Sequence, residues 1–267
     1  MFRECDVVVD IARAAGALVK NRFGNSNHVQ TKEDQTLVSE ADLISHEYIA
    51  QSLARIFPND LQLSEESPDA LHKQITNSRT WVIDPLDGTS NFLAHIPIFA
   101  VAIALVENNE TLLGVIYDPL HDEMFVCAKG QGATLNGTSI HVSTKDAARG
   151  SMLFAGRGYK EKDQQRHAQI ISALERQTTY FRRLGSATIM LAYVASGRAD
   201  AVILTGNNPW DTVVGSLLVC EAGGKISDYC GNLWSHQSRD LVATNGLIHQ
   251  KLIGITNSLE GGPGLCC

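Results

Sequence analysis

The stretch Trp81–Phe92 reads WVIDPLDGTSNF and decides how the rest of the sequence is interpreted. Its first three residues are a short apolar run that predicts a buried strand, ended by Pro85. Two aspartates, Asp84 and Asp87, then enter a tight turn, where like charges repel and burial penalises each of them. A bound divalent cation removes both objections. The alternative is a simple turn with solvated aspartates, which leaves the apolar run and the second aspartate unexplained.

The composition is typical of a globular protein. The 267 residues are 44% hydrophobic and 19% charged, which suits a sizeable core in one large domain or two. The net charge of −7 gives no basic face for nucleic acid. The N-terminus lacks a signal-peptide layout and no apolar run reaches membrane-spanning length, so we expect a cytoplasmic protein outside the membrane. No CxxC pair occurs, which argues against zinc, and the glycine-rich tail ending in Cys266-Cys267 does not have the form of a prenylation site.

The pattern of the first half, residues 1–148, predicts an α+β arrangement. Apolar residues at helical spacing indicate an amphipathic helix at the start of the chain, and Ser39 with Asp42 has the spacing of a capping box that begins a second helix. Beyond the central stretch, several apolar runs are separated by turn signals such as Asn108-Asn109, which predicts antiparallel hairpins.

The second half, residues 149–267, has a different rhythm. Strand and helix patterns alternate from about Ser151 onward, which predicts an α/β arrangement. One of its helices is predicted from Asp211 to Ala222, closed by Gly223-Gly224.

Four acidic clusters stand at predicted element boundaries, where side chains can point into a cleft. They are Asp42, Glu65-Glu66, Asp84 with Asp87, and Asp211. Taken singly, such acids are commonly helix caps or surface charges. Together they form a set of carboxylates with no histidine or cysteine partner, which favours a hard cation, Mg²⁺ or Mn²⁺.

Two distant motifs carry a resemblance to a known family. The run Asp84-Pro85-Leu86-Asp87-Gly88-Thr89, followed far downstream by Trp210-Asp211, eleven residues and Gly223-Gly224, resembles the signature of the inositol monophosphatase family. Glu65-Glu66-Ser67, Gly185-Ser186-Ala187 and the stretch from Thr36 to Asp42 also match at the expected places. The resemblance implies a layered αβαβα fold and a lithium-sensitive homodimer. It also implies hydrolysis of a small phosphate monoester with two or three Mg²⁺ ions, Mn²⁺ being possible.

The same resemblance implies the metal ligands. Glu65, Asp84 and the backbone carbonyl of Leu86 would hold one metal. Asp84, Asp87 and Asp211 would hold a second, so that Asp84 bridges the two.

The remaining site residues are also implied by the resemblance. Thr89 and Asp42 would orient and activate the attacking water, so we count them as catalytic together with Glu65. Glu66 would support the metal ligands from behind. The residues expected to contact the substrate are Asp87, Gly88, Thr89, Gly185, Ser186 and Ala187.

The choice of substrate is left open. Inositol-directed members usually carry a glutamate seven positions before the aspartate of the Trp-Asp pair, and here that position is Leu204. The alternatives are 3′-phosphoadenosine 5′-phosphate, histidinol phosphate and fructose 1,6-bisphosphate, with Asn207, Asn208 and Arg183 as possible contacts of the leaving group. A hypothesis of a different class is a homologue that has lost catalysis and serves as a binding or regulatory partner.

Overall fold

A computed structural model describes residues 3–25, 29–31, 37–68, 70, 75–176 and 180–259. The Cys266-Cys267 tail and Thr36 lie outside these residues. The helices of the described part are α1 (Arg3–Lys20), α2 (Glu40–Ile56), α3 (Thr89–Leu93), α4 (Glu161–Glu175), α5 (Ala187–Ala195), α6 (Pro209–Glu221) and α7 (His249–Leu259).

The strands fall into a small hairpin and two larger sheets. The hairpin pairs β1 (Val29–Thr31) with β2 (Leu37–Ser39). The first sheet contains, in spatial order, β3 (Leu61–Ser64), β4 (Thr80–Asp87), β5 (Ala100–Glu107), β6 (Glu110–Asp118), β7 (Glu123–Ala128), β8 (Ala133–Leu135) and β9 (Thr138–Ser139). The second contains, in spatial order, β11 (Tyr180–Arg182), β10 (Met152–Arg157), β12 (Ala201–Thr205), β14 (Leu241–Thr244) and β13 (Lys225–Ser227).

The direction of the strands differs between the two sheets. In the first sheet only β3 and β4 run parallel, and every other neighbouring pair is antiparallel. In the second sheet β11, β10 and β12 run parallel, whereas β14 and β13 are antiparallel to their neighbours. The predicted α+β first half and α/β second half are therefore both present.

Both sheets are buried on two faces, and this produces five layers. Along β5, Val101 and Ile103 pack on the side of α1 and α2, whereas Ala102 and Ala104 pack on the side of α5 and α6. The second sheet covers the other side of α5 and α6, and its outer face packs against α4 and α7. Because residues on a strand alternate between faces, a strand buried on both sides is apolar throughout. The predicted αβαβα order is confirmed.

Two boundaries differ from the sequence predictions. Strand β4 does not end at Pro85 but continues to Asp87, with a shift of register between Asp84 and Asp87. A proline is tolerated there because a bulge removes the need for a ladder hydrogen bond. Helix α6 begins at Pro209, two residues before Asp211, because proline fits the first helical position and Asn208 caps it.

The predicted hairpin turn at Asn108-Asn109 is confirmed. Both residues have positive φ, 53° and 60°, which matches the twist of a tight turn between β5 and β6. Within the residues that the structure describes, no helix combines the length and the hydropathy needed to cross a bilayer.

Candidate active site

The bulge in β4 brings Asp84 and Asp87 to the same face of the first sheet. In a regular strand, residues three apart point to opposite faces. Here Asp84 pairs with Ala102 and Asp87 with Ala100, so the two aspartates are only two partner residues apart. The extra residue of the bulge therefore turns both carboxylates toward the layer between the sheets. The sequence analysis predicted a turn at these two residues and did not predict the bulge.

Glu65 reaches the same place because β3 runs parallel to β4. Ser64 at the end of β3 lies beside Ile83, and the amide of Glu65 donates a hydrogen bond of 3.1 Å to the carbonyl of Ile83. Parallel neighbours end at the same edge of a sheet, so Glu65 follows β3 at the point where Asp84 leaves the regular part of β4.

Asp42 and Thr89 form a hydrogen-bonded pair. Asp42 lies in the first turn of α2, and its Oδ2 accepts hydrogen bonds from the amide of Ser39 (2.7 Å) and from its hydroxyl (2.6 Å). The predicted capping box is confirmed. The other oxygen, Oδ1, accepts a hydrogen bond of 2.8 Å from the Thr89 hydroxyl. The cap therefore holds one carboxylate oxygen and leaves the other for Thr89.

Asp87 is bound to the start of α5. Its Oδ2 accepts hydrogen bonds from the Ser186 hydroxyl (2.6 Å) and from the amide of Thr188 (2.7 Å). Its Oδ1 accepts a longer hydrogen bond, 3.2 Å, from the amide of Ala187. A carboxylate at a helix N-terminus is stabilised by the unpaired amides there. Ser186 and Ala187, which were expected to contact the substrate, thus direct these donors to Asp87, and Oδ1 keeps the weaker contact.

Gly185 and Asp211 lie close to these contacts. A side chain at Gly185, whose φ is +77°, would come within 2.9 Å of the Asn91 amide group, so only glycine fits there. Asp211 is the third residue of α6, and its Oδ2 accepts a hydrogen bond of 2.7 Å from the amide of Asn208. Its position in the first turn is the predicted one.

These elements surround a cavity of about 560 Å³. Four carboxylates line it, which we call the acidic wall: Glu65, Asp84, Asp87 and Asp211. Leu86, Gly88, Thr89, Gly185, Ser186 and Ala187 also line it. Asp42 is connected to the cavity by its hydrogen bond with Thr89, which lines it. The cavity therefore brings together the residues that the sequence analysis selected.

Four cations line the same cavity, and we call them the basic wall. They are Arg157, Lys160, Arg183 and Arg239. Sequence reasoning singled out only Arg183, together with Asn207 and Asn208, which also line the cavity. Arg157 ends β10, Lys160 precedes α4 and Arg239 precedes β14, so no single motif joins them. Alternating strands and helices were predicted, and the ends of parallel strands were the signal that could have found Arg157.

The pKa values of Asp42 and Asp84 are shifted from their ordinary values. Burial, followed by the neighbouring Glu65, Asp87, Asp211 and Asp42, raises the pKa of Asp84 well above its ordinary value. Burial raises the pKa of Asp42 to about 6, although its hydrogen bonds with Ser39 and Thr89 oppose the shift. Crowded buried carboxylates of this kind need protons or a cation to offset their repulsion.

The donor set fits a hard divalent cation. All the candidate side-chain ligands are carboxylates, and the bulge adds the backbone carbonyl of Leu86, which accepts a hydrogen bond of 3.1 Å from the Thr89 hydroxyl. Within the described residues, no three acidic, histidine or cysteine side chains already stand close enough to enclose a single ion. Asp87 and Asp211 each have an oxygen that accepts a hydrogen bond from an amide at a helix N-terminus. Oxygen-only ligands of this kind are those that hard divalent cations prefer.

Comparison with known proteins gives one consistent result. The model of the inositol monophosphatase family matches residues 3–260. The chain is 36% identical over 242 residues to Nus factor SuhB of Salmonella typhimurium, covering 90% of each protein. It is 32% identical over 255 residues to the fructose-1,6-bisphosphatase/inositol-1-monophosphatase of Thermotoga maritima, covering 95% of this chain and 96% of the relative. Among solved structures, an IMPase of Thermotoga maritima superposes with a TM-score of 0.87 at 31% identity, over 97% of this chain and 98% of that one.

Proposed function

The chain belongs to the inositol monophosphatase family, and from this premise we propose that it is a Mg²⁺-dependent phosphatase that hydrolyses a small phosphate monoester. The observation that carries the proposal is the acidic wall, whose four carboxylates line one cavity next to the Thr89–Asp42 pair. Phosphate monoesters hydrolyse extremely slowly without catalysis, so an enzyme must supply both a nucleophile and charge stabilisation.

Glu65, Asp84 and the carbonyl of Leu86 would hold one metal, and Asp84, Asp87 and Asp211 a second. Asp84 is suited to the shared position because it is 2% exposed and its charge is opposed by the other three carboxylates. When bound, divalent ions in such a site lower the pKa of water and offset the negative charge of the phosphoryl group. Mn²⁺ has similar ligand preferences and is the second metal to try.

Thr89 and Asp42 orient the attacking water in this proposal. The single hydrogen of the Thr89 hydroxyl is directed to Asp42 at 2.8 Å or to the carbonyl of Leu86 at 3.1 Å, and in either case the oxygen is left to accept a hydrogen bond from the water. This fixes the direction of the oxygen lone pair of the water toward phosphorus. The Asp42 carboxylate, with a pKa of about 6, can take up a proton passed through Thr89.

The amides of Gly88 and Thr89 would receive the phosphate. Gly88 has a φ of +96° and caps α3, and a side chain there would come within 2.9 Å of the carbonyl of Ile98. The turn therefore brings backbone donors close to the cavity without a side chain in the way. Gly185, Ser186 and Ala187 remain substrate contacts in the proposal, although Ser186 and Ala187 would act mainly through Asp87.

The substrate in this proposal is a small phosphorylated metabolite, and one feature of the chain argues against myo-inositol 1-phosphate. Leu204 stands where inositol-directed members have a glutamate, and it is fully buried in the core between the sheets. A leucine offers no acceptor for sugar hydroxyls. The candidates are fructose 1,6-bisphosphate, 3′-phosphoadenosine 5′-phosphate and histidinol phosphate. The name of the Thermotoga maritima relative contains both fructose-1,6-bisphosphatase and inositol-1-monophosphatase, so it supports the first candidate and keeps myo-inositol 1-phosphate among the compounds to test.

Phosphate release from these candidates and from myo-inositol 1-phosphate tests the proposal. Release is expected with Mg²⁺ and not with a chelator, and Li⁺ is expected to inhibit it. A folded protein that releases no phosphate from any of the four compounds in Mg²⁺ or Mn²⁺ would contradict the proposal. We also propose that the protein is a homodimer and that it is located in the cytoplasm. Light scattering measures the oligomeric state.

One observation favours a second candidate function. The relative from Salmonella typhimurium is named as a Nus factor and not as an enzyme. A chain that serves only as a binding partner does not need the acidic wall for catalysis. Such a protein would keep its partner affinity in an Asp84→Asn variant, whereas the phosphatase would lose its turnover.

A further inference from the structure

One side of helix α2 contacts three segments beside the acidic wall. Asp42 accepts a hydrogen bond from the first residue of α3. Ser45 donates a hydrogen bond of 2.8 Å to the carbonyl of Pro85, inside the bulge of β4. His46 Nδ1 and the Oγ of Ser64, the last residue of β3, share a hydrogen bond of 2.8 Å. Residues three and four apart lie on one side of a helix, so a single surface of α2 makes all three contacts.

Glu65 is on a less supported element than the aspartates of the acidic wall. It follows β3, a strand of four residues at the end of the first sheet. In contrast, Asp84 and Asp87 belong to β4, which has a strand on each side and is buried along its whole length. Glu65 itself is half-buried. Segments with fewer buried contacts open at a lower free energy, so the position of Glu65 depends on what holds the turn after β3.

The turn from Ser64 to Ser67 carries Glu65 and is closed by Ser64. The carbonyl of Ser64 accepts a hydrogen bond of 3.0 Å from the amide of Ser67, and its hydroxyl oxygen accepts a longer one, 3.4 Å, from the amide of Glu66. Serine commonly takes the first position of such a turn. The Ser64 side chain is buried, so its hydroxyl needs partners within the protein. His46 provides the shorter of these two side-chain contacts and connects the turn to α2.

Strand β3 has another contact with α2, farther from Glu65. The side chain of Gln62 donates a hydrogen bond of 3.1 Å to the carbonyl of Ala50. Ala50 lies one turn beyond His46 in α2, and Gln62 lies two residues before Ser64 in β3. The two contacts are therefore about 7 Å apart along the strand. Of the two, the contact of His46 is the one next to the residue that carries the carboxylate.

We propose that His46 is a positioning residue of the metal site, which holds, through Ser64, the turn that presents Glu65 to a divalent cation. The inference rests on the proposed phosphatase function, in which Glu65 is a metal ligand. Mg²⁺ demands near-ideal octahedral geometry, so a ligand on a loosely held turn binds it poorly. Loss of the hydrogen bond between His46 and Ser64 frees the turn, and the affinity for the ion falls while the other ligands stay in place.

Calorimetric titration with Mg²⁺ alone, without substrate, tests this role. In His46→Ala the Mg²⁺ dissociation constant is expected to rise about tenfold, the lower end of the loss caused by removing a contact behind a ligand. Turnover is expected to recover at higher Mg²⁺ concentration, because the ligands themselves are intact. Ser64→Ala removes the same hydrogen bond from the other side and should weaken binding similarly. His46→Asn keeps a hydrogen-bonding group at the δ position and should recover most of the affinity.

Gln62→Ala is the matched control, because it also removes one hydrogen bond between β3 and α2. Both Gln62→Ala and His46→Ala are expected to unfold at lower urea concentration than the wild type in chelator, but only His46→Ala should lose Mg²⁺ affinity. An unchanged dissociation constant in both His46→Ala and Ser64→Ala would overturn this inference alone. The same holds if Gln62→Ala weakens binding equally, because general loosening of β3 would then explain the loss. A folded wild-type protein that binds no Mg²⁺ would contradict the phosphatase proposal itself.

Discussion

In the acidic wall of the cavity Asp84 and Asp87 are buried and Glu65 and Asp211 are half-buried, whereas three of the four cations of the basic wall are exposed. Asp84 and Asp87 are 2% and 8% exposed, and Asp87 alone accepts hydrogen bonds from three consecutive residues of the second half. In contrast, Arg183 and Lys160 are exposed, and Arg157 is half-buried. Two sets of four charges thus share one cavity with very different degrees of restraint.

The difference indicates a division of work. Charges that activate a nucleophile must be held in fixed positions, because misplacement by 1 Å can cost a large part of the rate. Charges that select a substrate can stand on loops and strand ends, which vary without disturbing the core. We therefore expect changes in the acidic wall to act on turnover and changes in the basic wall to act on substrate choice.

The largest effect is expected from Asp84→Asn. Turnover should fall by at least about one-hundredfold, more than the loss from disturbing a group behind a metal ligand. The fold should persist, because the change removes a buried charge that neighbouring carboxylates oppose. Phosphate release measures the turnover. Thermal unfolding in chelator measures whether the fold persists.

Asp10→Asn, on the exposed side of α1, is the control for that change. Near-normal turnover in Asp84→Asn would remove Asp84 from the metal site, and loss of folding would place its role in stability instead.

Thr89→Ala should reduce turnover by about one-hundredfold, because it deletes the hydroxyl that links the water to Asp42. Thr89→Ser retains that hydroxyl and should recover most of the rate. Steady-state kinetics of both variants decides the point, since equal losses would show that the methyl group, and not the hydrogen bond, matters.

Gly88→Ala should lower the free energy of unfolding by about 1–3 kcal/mol, through the strain of a positive φ and the contact with the carbonyl of Ile98. Gly130→Ala has a similar φ, +71°, but nothing within 4 Å. It therefore contributes strain without the contact. Urea unfolding of both proteins gives the difference. If the two losses were equal, the close approach behind the acidic wall would have no cost.

The smallest effect concerns His167, which lies behind the basic wall. Burial, followed by the charges of Arg183 and Arg157, lowers its pKa to about 4 from an ordinary value of 6.5. Between these values the unfolded chain binds the extra proton, so the contribution of His167 to stability is lost as the pH falls from 6.5 toward 4. His167→Gln should flatten this part of the stability profile by about 1 kcal/mol after allowance for solvent screening.

Unfolding in chelator between pH 7 and pH 4 measures the His167 effect, with exposed His141→Gln as the control. Asp42 contributes the opposite slope, because its raised pKa means that the folded state binds the proton. An unchanged slope in His167→Gln would contradict the expectation that the ring is uncharged in the folded protein.

Sequence patterns of a few neighbouring residues predicted those parts of the fold that depend on contacts between neighbouring residues. The capping box of Ser39 with Asp42 and the turn at Asn108-Asn109 each depend on a few neighbouring residues, and both are present as predicted. The start of α6 was predicted two residues late, although the preference of proline for the first helical position could have corrected it.

Features that depend on distant contacts were beyond the same rules. The bulge at Pro85 exists because β4 pairs with β5 on both sides of it. No residue between Trp81 and Phe92 indicates this pairing in the sequence. The acidic wall was identified through the two-part signature and the Glu65-Glu66-Ser67 stretch, whereas the residues of the basic wall are far apart in the chain and share no motif. The parallel pairing of β11 with β10 brings Arg183 beside Arg157, and the pairing of β14 with β12 brings Arg239 to the same sheet.

The contact of Asp87 with the start of α5 has a practical consequence. One carboxylate from residues 1–148 closes a helix from residues 149–267, and the central core layer is likewise shared between them. Two fragments divided at this boundary and produced separately would each hold an incomplete set of charges. We therefore expect neither fragment to release phosphate by itself.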